Sequence, residues 1–312
     1  MKVLITGSSG MIGTNLALRL MQDGHTVLGV DYRNNPWTYC IPFRTIDLRK
    51  DCIGRLVELI KGFEIDIVVH LAAHAKVYEL VVEPSRALEN VVITFKVVES
   101  ARLAGVPIIF GSSREVYGDI HRHVTNEGCA DFVVAESPYS ASKISGEAFI
   151  YSFAQCYGLP YIVFRFSNVY GRYDNDLERM ERVTPLFIRK IAQGDPIVIF
   201  GKEKVLDFTY IDDCIEGIYS GIRELTSGRV KNQTINLAYG EGNSLDQLVT
   251  FIAEALGVEP QVSYRASQPG EVTRYVADVT KARELLGYHA QTPLSEGIKK
   301  AVQWQKEAGY LA

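Results

Sequence analysis

Two side chains four residues apart, Tyr139 and Lys143, could move a proton together. Residues at this spacing are neighbours on one face of a helix. A phenol has an unperturbed pKa of about 10, and a nearby ammonium lowers that pKa by stabilising the phenolate. Tyr139 is therefore a candidate general base. Because such a pair is common by chance, the prediction depends on where the pair lies in the fold.

A glycine-rich run follows the apolar residues 2–6 and opens the helical pattern of residues 11–23. Glycines in that context let backbone amides approach a pyrophosphate at the positive end of a helix. Asp31 ends the next strand-like run, where a carboxylate accepts hydrogen bonds from the adenosine ribose hydroxyls and repels a 2'-phosphate. The pattern predicts a site for NAD rather than NADP. Its predicted cofactor residues are Gly7, Gly10, Met11, Ile12, Gly13 and Asp31.

The elements that would position these residues alternate between strand-like and helix-like patterns. The strand-like runs are 2–6, 26–31, 65–70, 107–112 and 161–166, and the helical runs are 11–23, 51–62, 84–104 and 138–157. This alternation is typical of a parallel sheet covered by helices. We therefore predict an α/β fold, a Rossmann doubly wound parallel sheet with a smaller α/β substrate-binding domain.

The ends of two helices are marked by local signals. Ser137 and Pro138 are typical of a helix cap and first turn, which places Tyr139 and Lys143 at the start of that helix. In the run 84–104, Leu88, Val91, Val92, Phe95 and Val98 recur at helical spacing and Gly105 follows.

The alternation of strand-like and helical runs becomes irregular beyond about residue 170. A capping box at 244–247 nevertheless begins one more helix. We predict a cofactor domain of residues 1–168, with returning segments near 205–240. The substrate domain would comprise residues 169–204 and 241–312.

The composition excludes several classes of protein. The chain has 312 residues, a net charge of −4 and 22% charged residues, with a mean hydropathy of +0.01. A general nucleic-acid or membrane-surface binder would need a basic face, and no apolar run approaches a membrane span. We expect a cytoplasmic protein without nucleic-acid or membrane partners. The five cysteines form no C-x-x-C pair, and His121 and His123 lie in a polar stretch, so we expect no metal site.

Seven sequence motifs, two of which include candidate site residues named above, are distributed along most of the chain. They are G-S-S-G-M-I-G at Gly7, H-L-A-A at His70, G-S-S-R-E-V-Y-G at Gly111, S-P-Y-S-A-S-K at Ser137, R-F-S-N-V-Y-G at Arg165, D-F-T-Y-I-D-D at Asp207 and A-D-V-T-K-A at Ala277. With them the chain resembles the extended short-chain dehydrogenase/reductase superfamily. Within it, the chain is most similar to the NAD-dependent sugar-nucleotide epimerases and dehydratases of the UDP-glucose 4-epimerase type.

The resemblance implies roles for individual residues. Asp47 and Leu48 would contact the adenine, Leu71, Ala72 and Ala73 would line the nicotinamide side, and Asn90 would help to seat the cofactor. Ser113 would bind the sugar 4-hydroxyl and relay its proton to Tyr139, while Lys143 would also hold the nicotinamide ribose. Asn168 would contact the nucleotide diphosphate. The helices at 84–104 and 138–157 would pair with their copies in a homodimer with a four-helix interface.

The chain departs from the family's pattern at two places. Leu206 occupies the position of an arginine that clamps the diphosphate, so Arg274 or Arg172 would have to supply the charge. Arg114 precedes Glu115 where the 4,6-dehydratases have an Asp-Glu pair. Because Glu115 is retained, elimination or decarboxylation stays open, and Arg114 would suit the carboxylate of a uronic acid.

The resemblance implies three alternative functions. The first is a 4-epimerase of the UDP-glucose/UDP-galactose type, which oxidises the sugar transiently at C4 through a 4-keto intermediate. The second is a nucleotide-sugar 4,6-dehydratase, UDP-glucuronate decarboxylase or ketoreductase. The third is an NAD-binding scaffold without catalysis, which would have no need for Ser113, Tyr139 and Lys143 together.

Overall fold

The computed structural model describes residues 1–117, 135–177, 182–267 and 272–311. Its strands are β1 Lys2–Thr6, β2 Thr26–Asp31, β3 Phe43–Thr45, β4 Ile67–His70, β5 Ile108–Ser113, β6 Tyr161–Phe166, β7 Asn168–Tyr170, β8 Ile197–Phe200, β9 Val205–Tyr210, β10 Gln233–Leu237, β11 Gly242–Ser244, β12 Val262–Arg265 and β13 Arg274–Tyr275. Its helices are α1 Met11–Gln22, α2 Ile53–Gly62, α3 Val77–Val82, α4 Ser85–Ala104, α5 Pro138–Tyr157, α6 Val183–Gln193, α7 Ile211–Thr226, α8 Leu245–Leu256, α9 Thr280–Leu286 and α10 Leu294–Glu307.

Seven parallel strands form the main sheet, in the order β3-β2-β1-β4-β5-β6-β10. The chain moves outward from β1 to β3, then returns to β4 on the other side of β1. In open α/β sheets, ligands bind beyond the carboxyl ends of the strands where the order reverses in this way. Thr6, the last residue of β1, lies in register with Val30 of β2 and with His70 of β4. The glycine-rich run that follows Thr6 therefore begins where the strand order reverses. The predicted fold class is confirmed.

The main sheet is buried on both faces. Val3 and Ile5 face one hydrophobic cluster, which includes residues of α1 and α7, while Leu4 faces a second cluster built with α2, α4 and α5. Strands covered on both sides are expected to be almost wholly apolar, as β4 and β6 are. The sheet is thus a rigid platform for residues at its carboxyl edge.

Local signals placed the ends of α5 and α8 correctly. Ser137 and Ser140 form a reciprocal capping box at the start of α5, and the left-handed Gly158 follows its last residue. Ser244 and Gln247 form the same arrangement at the start of α8. Capping bonds are made between residues three apart, so the sequence alone determines them.

The apolar stripe predicted on α4 faces partly outward. Leu88 is 66% exposed and Phe95 is 38% exposed, whereas the buried side of the helix carries polar Asn90 and Thr94 as well as apolar residues. Helical spacing identifies a stripe but does not say which partner covers it.

Smaller sheets form the second region. Strands β11, β9 and β13 lie side by side with β7 pairing to β9, and β8 pairs with β12. Of the predicted returning segments, β10 joins the main sheet and β9 lies in a small one. The domain division itself stays a prediction.

Residues 118–134, which include His121, His123 and Cys129, lie outside the described residues. Across the described ranges, no three His, Cys, Asp or Glu side chains cluster as metal ligands. No helix in the same ranges is long and apolar enough to cross a membrane.

Candidate active site

A cavity of ≈ 710 Å³ opens at the carboxyl edge of the main sheet and extends towards β9 and α6. It brings together most of the residues that the sequence singled out from distant segments. Those that line it are Gly7, Gly10, Met11, Ile12, Gly13, Asp31, Asp47, Leu48, Leu71, Ala72, Ala73, Ser113, Tyr139, Lys143 and Asn168.

The glycine-rich turn between β1 and α1 has no room for side chains at two positions. Gly7 has φ +74°, and a Cβ there would lie 2.7 Å from the backbone nitrogen of Ala72. A Cβ on Gly13 would lie 2.3 Å from the carbonyl oxygen of Gly7. The helix N-cap, Gly10, has no capping side chain. The open amides of the first turn therefore suit a pyrophosphate, as NAD binding requires.

Asp31 is held in place at the end of β2. It is 7% exposed and accepts hydrogen bonds from the backbone N–H groups of Ser9 at 3.0 Å and Arg33 at 3.2 Å. The Arg33 guanidinium pairs with Asp176 at 2.8 Å, so its charge is already balanced. A 2'-phosphate would meet the Asp31 carboxylate and a neutralised arginine, which fits NAD better than NADP.

Two predicted adenine contacts follow β3. Arg49 makes a two-pronged contact to Asp47, at 2.8 and 2.9 Å, which lowers the pKa of that carboxyl. Leu48 is buried beside it.

Asn90 does not line the cavity in the described part of the chain. From α4 its side-chain amide accepts a hydrogen bond from the His74 N–H at 2.7 Å and donates one to the His74 carbonyl at 3.0 Å. It also donates to the Ser142 hydroxyl. Asn90 therefore fixes the loop that carries Leu71, Ala72 and Ala73 rather than facing the cavity.

Ser113, Tyr139 and Lys143 meet where β5 ends and α5 begins. The Ser113 hydroxyl lies near the Tyr139 phenol and favours its ionised form, and the Lys143 ammonium donates to the Gly111 carbonyl at 2.8 Å. The Lys143 nitrogen lies 5.8 Å from the centre of the Tyr139 ring. The three groups thus share one wall of the cavity, with the lysine anchored to backbone.

The pKa of Tyr139 differs from the expectation. Burial raises it to about 12, although the Ser113 hydroxyl and the charges of Arg182 and Arg114 oppose that rise. Burial also lowers the pKa of Lys143 to about 8. In the protein alone, desolvation of the phenolate outweighs the attraction of nearby cations. The lysine alone therefore does not make Tyr139 a base at neutral pH.

The two arginines predicted to bind the diphosphate have other surroundings in the described part of the chain. Arg274 is exposed, because alternation along β13 turns its neighbour Tyr275 into the core. Arg172 pairs with Asp212 at 2.7 Å, and neither arginine is among the described lining residues. Asn168 does line the cavity, and its amide donates to the Asp207 carbonyl at 3.1 Å.

Lys204, Arg182 and Asp174 are among the charged lining residues that the sequence analysis did not predict. Lys204 is buried and lies two positions before Leu206, so both side chains face the cavity from the start of β9. Arg182 caps α6 and lies 3.4 Å from Asp174, whose pKa is raised by burial to about 6. Residues two apart on a strand lie on the same face, so the spacing of Lys204 and Leu206 could have predicted Lys204 as a lining residue. The contact between Arg182 and Asp174 could not be predicted without the fold.

The described lining has an excess of positive charge, with seven Lys and Arg side chains against five Asp and Glu. A chain with a net charge of −4 therefore presents a cationic cavity, which suits anionic ligands.

Comparison with known proteins agrees with this geometry. Residues 3–238 match the sequence profile of the NAD dependent epimerase/dehydratase family. The chain belongs to that family. NAD is its cofactor, consistent with the glycine-rich turn and Asp31.

Individual members of the family are similar over nearly the whole chain. The UDP-glucose 4-epimerase of Mycolicibacterium smegmatis is 32% identical over 97% of this chain and 98% of its own. The structure of a Thermotoga maritima UDP-glucose 4-epimerase with UDP-glucose has a TM-score of 0.90 at 28% identity, covering 99% of each chain. A Bacillus cereus UDP-glucuronic acid 4-epimerase, in complex with UDP-glucuronic acid and NAD, has a TM-score of 0.87 at 26% identity, covering 99% of this chain and 100% of its own.

Proposed function

We propose that the protein is a 4-epimerase of UDP-sugars, of the UDP-glucose/UDP-galactose type. The observation that carries the proposal is the meeting of Ser113, Tyr139 and Lys143 in the cavity that also contains the dinucleotide-binding turn. Similarity to UDP-sugar 4-epimerases over almost the full chain supports it. We further propose that it works in the cytoplasm.

In this proposal, the chain's own residues orient the sugar and move its proton. Ser113 binds the 4-hydroxyl and passes its proton to Tyr139, which lines the same cavity. The glycine-rich turn and Asp31 would hold NAD, which would supply a positively charged ring near the phenol and reversible hydride chemistry at C4. Tyr139 would return the proton to the 4-oxygen when the hydride goes back to C4. Lys143 holds the nicotinamide ribose from its anchored position.

The positive ring also bears on the pKa of Tyr139. Because burial raises that pKa to about 12, the phenol stays protonated until a further positive charge arrives. Tyr139 therefore gains its basicity only with the cofactor in place.

Lys204 and Arg182 would hold the diphosphate in place of an arginine at position 206. Both line the cavity, and Arg182 begins the helix whose first residues Val183 and Thr184 also line it. A cation beside open helix amides is a favourable environment for phosphate.

We also propose a homodimer in which α4 and α5 pair with their copies. These two helices pack against each other and share an outer apolar surface, on which Phe95 contacts the rings of Phe149 and Phe153. Leu88 extends that surface. Exposed apolar patches of this kind mark interaction sites.

A 4,6-dehydratase or UDP-glucuronate decarboxylase is the second candidate. Glu115, the retained acid, favours it, but Arg114 pairs with Glu115 at 3.0 Å. The 4,6-dehydratases with an Asp-Glu pair need an acid at position 114, which a guanidinium cannot supply, whereas decarboxylation stays open.

The test incubates the NAD-loaded protein with UDP-, dTDP- and GDP-sugars and identifies the products by NMR. A sugar inverted at C4 supports the epimerase, and a 4-keto-6-deoxy or pentose product supports the second candidate. Binding without turnover would identify an NAD-binding scaffold.

Tyr139→Phe should lower turnover by at least about a hundredfold and leave NAD bound, because a general base contributes on that scale. Tyr39→Phe is the matched control, since Tyr39 is 98% exposed. Comparable activity in the two variants would refute the role of Tyr139.

A further inference from the structure

Arg114 lies in the cavity wall directly after Ser113. Its side chain is only 12% exposed, and one terminal nitrogen, Nη2, contacts the Glu115 carboxylate at 3.0 Å. The other terminal nitrogen, Nη1, is buried and has no hydrogen-bond partner among the described residues. A buried donor without an acceptor is costly, so this guanidinium has capacity for a further ligand.

The position of Arg114 relates it to the sugar. Its charge acts on Tyr139, so the guanidinium lies within electrostatic range of the phenol that would take the 4-hydroxyl proton. The C4 carbon of a hexose is bonded to C5, which carries the C6 group. Because Arg114 follows Ser113 and lines the same cavity, it is placed to meet a group attached at C6.

A guanidinium has five N–H donors in a planar fork and can serve two carboxylates at once. Glu115 takes one side through Nη2, which leaves Nη1 for a second acceptor. A hydroxymethyl oxygen would fill that place with a weak neutral bond, whereas a carboxylate would form a stronger charge-assisted one. The excess of cations around the cavity also favours the acidic ligand.

We propose that Arg114 forms a carboxylate subsite through Nη1 and that the preferred substrate is a UDP-uronic acid. The inference rests on the proposed function for the placement of C4 at Tyr139. The reaction stays the inversion at C4, but the preferred sugar becomes a uronic acid instead of glucose or galactose. The carboxylate is bound without being changed.

The experiment measures binding separately from turnover. Isothermal titration calorimetry of the NAD-loaded full chain gives dissociation constants for UDP-glucuronate and UDP-glucose, which differ only at C6. The native protein should bind UDP-glucuronate about ten- to a hundredfold more tightly, as expected for one charge-assisted contact. NMR of the same mixtures records any product inverted at C4.

Two variants assign the preference to Arg114. Arg114→Gln combined with Glu115→Gln removes both charges without leaving either one buried alone, and its dissociation constants for the two sugars should agree within about threefold. Arg114→Lys keeps the charge without the fork and should retain part of the preference. Arg172→Gln, which alters an arginine outside the cavity, is the control and should bind as the native protein does. Melting curves and NAD binding verify that each variant is folded.

The outcomes separate this inference from the proposed function. Equal binding of the two sugars by the native protein, or a preference that survives in the double variant, would overturn the carboxylate subsite whatever the turnover. Preferential binding of UDP-glucuronate that depends on Arg114, but without a C4-inverted product, would uphold the subsite and refute the epimerase. Loss of carbon dioxide from bound UDP-glucuronate would do the same and favour a decarboxylase.

Discussion

Gly13→Ala should weaken NAD binding and destabilise the protein, because the new Cβ would lie 2.3 Å from the Gly7 carbonyl oxygen. Ordinary contacts begin at 3.4 Å, so α1 must move by roughly 1 Å. Overpacking of this kind typically costs about 1–3 kcal/mol, which corresponds to a loss of several degrees in melting temperature for a chain of this size. The same shift withdraws the first-turn amides from the pyrophosphate, so NAD binding should weaken at least about tenfold.

The matched control is Gly54→Ala. Gly54 lies in the first turn of α2, and a Cβ there meets no atom within 4 Å. Alanine is the better helix former, so this variant should melt at the same temperature as the native chain or slightly higher. Differential scanning calorimetry and NAD titration compare the three proteins. If Gly13→Ala melts and binds NAD as Gly54→Ala does, the packing argument for the glycine-rich turn is incorrect.

Three further predictions concern charge and assembly. Burial raises the pKa of Asp174 to about 6, so its ionised form costs stability above that pH; Asp174→Asn should raise the melting temperature at pH 8 and leave it unchanged below about pH 4. An equal effect at both pH values would contradict this. Lys204→Met should weaken UDP-sugar binding about tenfold, whereas Arg274→Met should not, as calorimetry would show. Leu88→Glu should yield a monomer in analytical ultracentrifugation, and an unchanged mass would exclude α4 from the interface.

Local chemistry made much of the fold predictable. The start of α5 depends on Ser137 and Ser140, which are three residues apart, and its end depends on Gly158. The alternation of apolar runs likewise located every strand of the main sheet up to β6 within two residues, except the short β3. Such signals act within a few residues, where the sequence is sufficient.

Contacts between distant segments were not predictable. Pairing with β9 determines which face of β13 is exposed. A shift of one residue in that pairing would exchange the exposed and buried side chains, so the sequence did not show that Arg274 would be exposed. Asn90 hydrogen-bonds to the His74 backbone only because α4 lies over the loop that contains His74. The sequence places Lys143 near Tyr139 but does not show how deeply the phenol is buried, and that burial raises its pKa.

The buried ammonium of Lys143 lowers the stability of the folded chain. A pKa lowered from 10.5 to about 8 means that the charged lysine opposes folding by about 3 kcal/mol at neutral pH, and that this cost disappears as the pH rises from about 8 to 10.5. Such a cost is a large fraction of the net stability of an ordinary domain. Selection for stability alone would favour an apolar residue at position 143. The role proposed for Lys143 at the cofactor would explain why a lysine, anchored to the Gly111 carbonyl, occupies this position despite that cost.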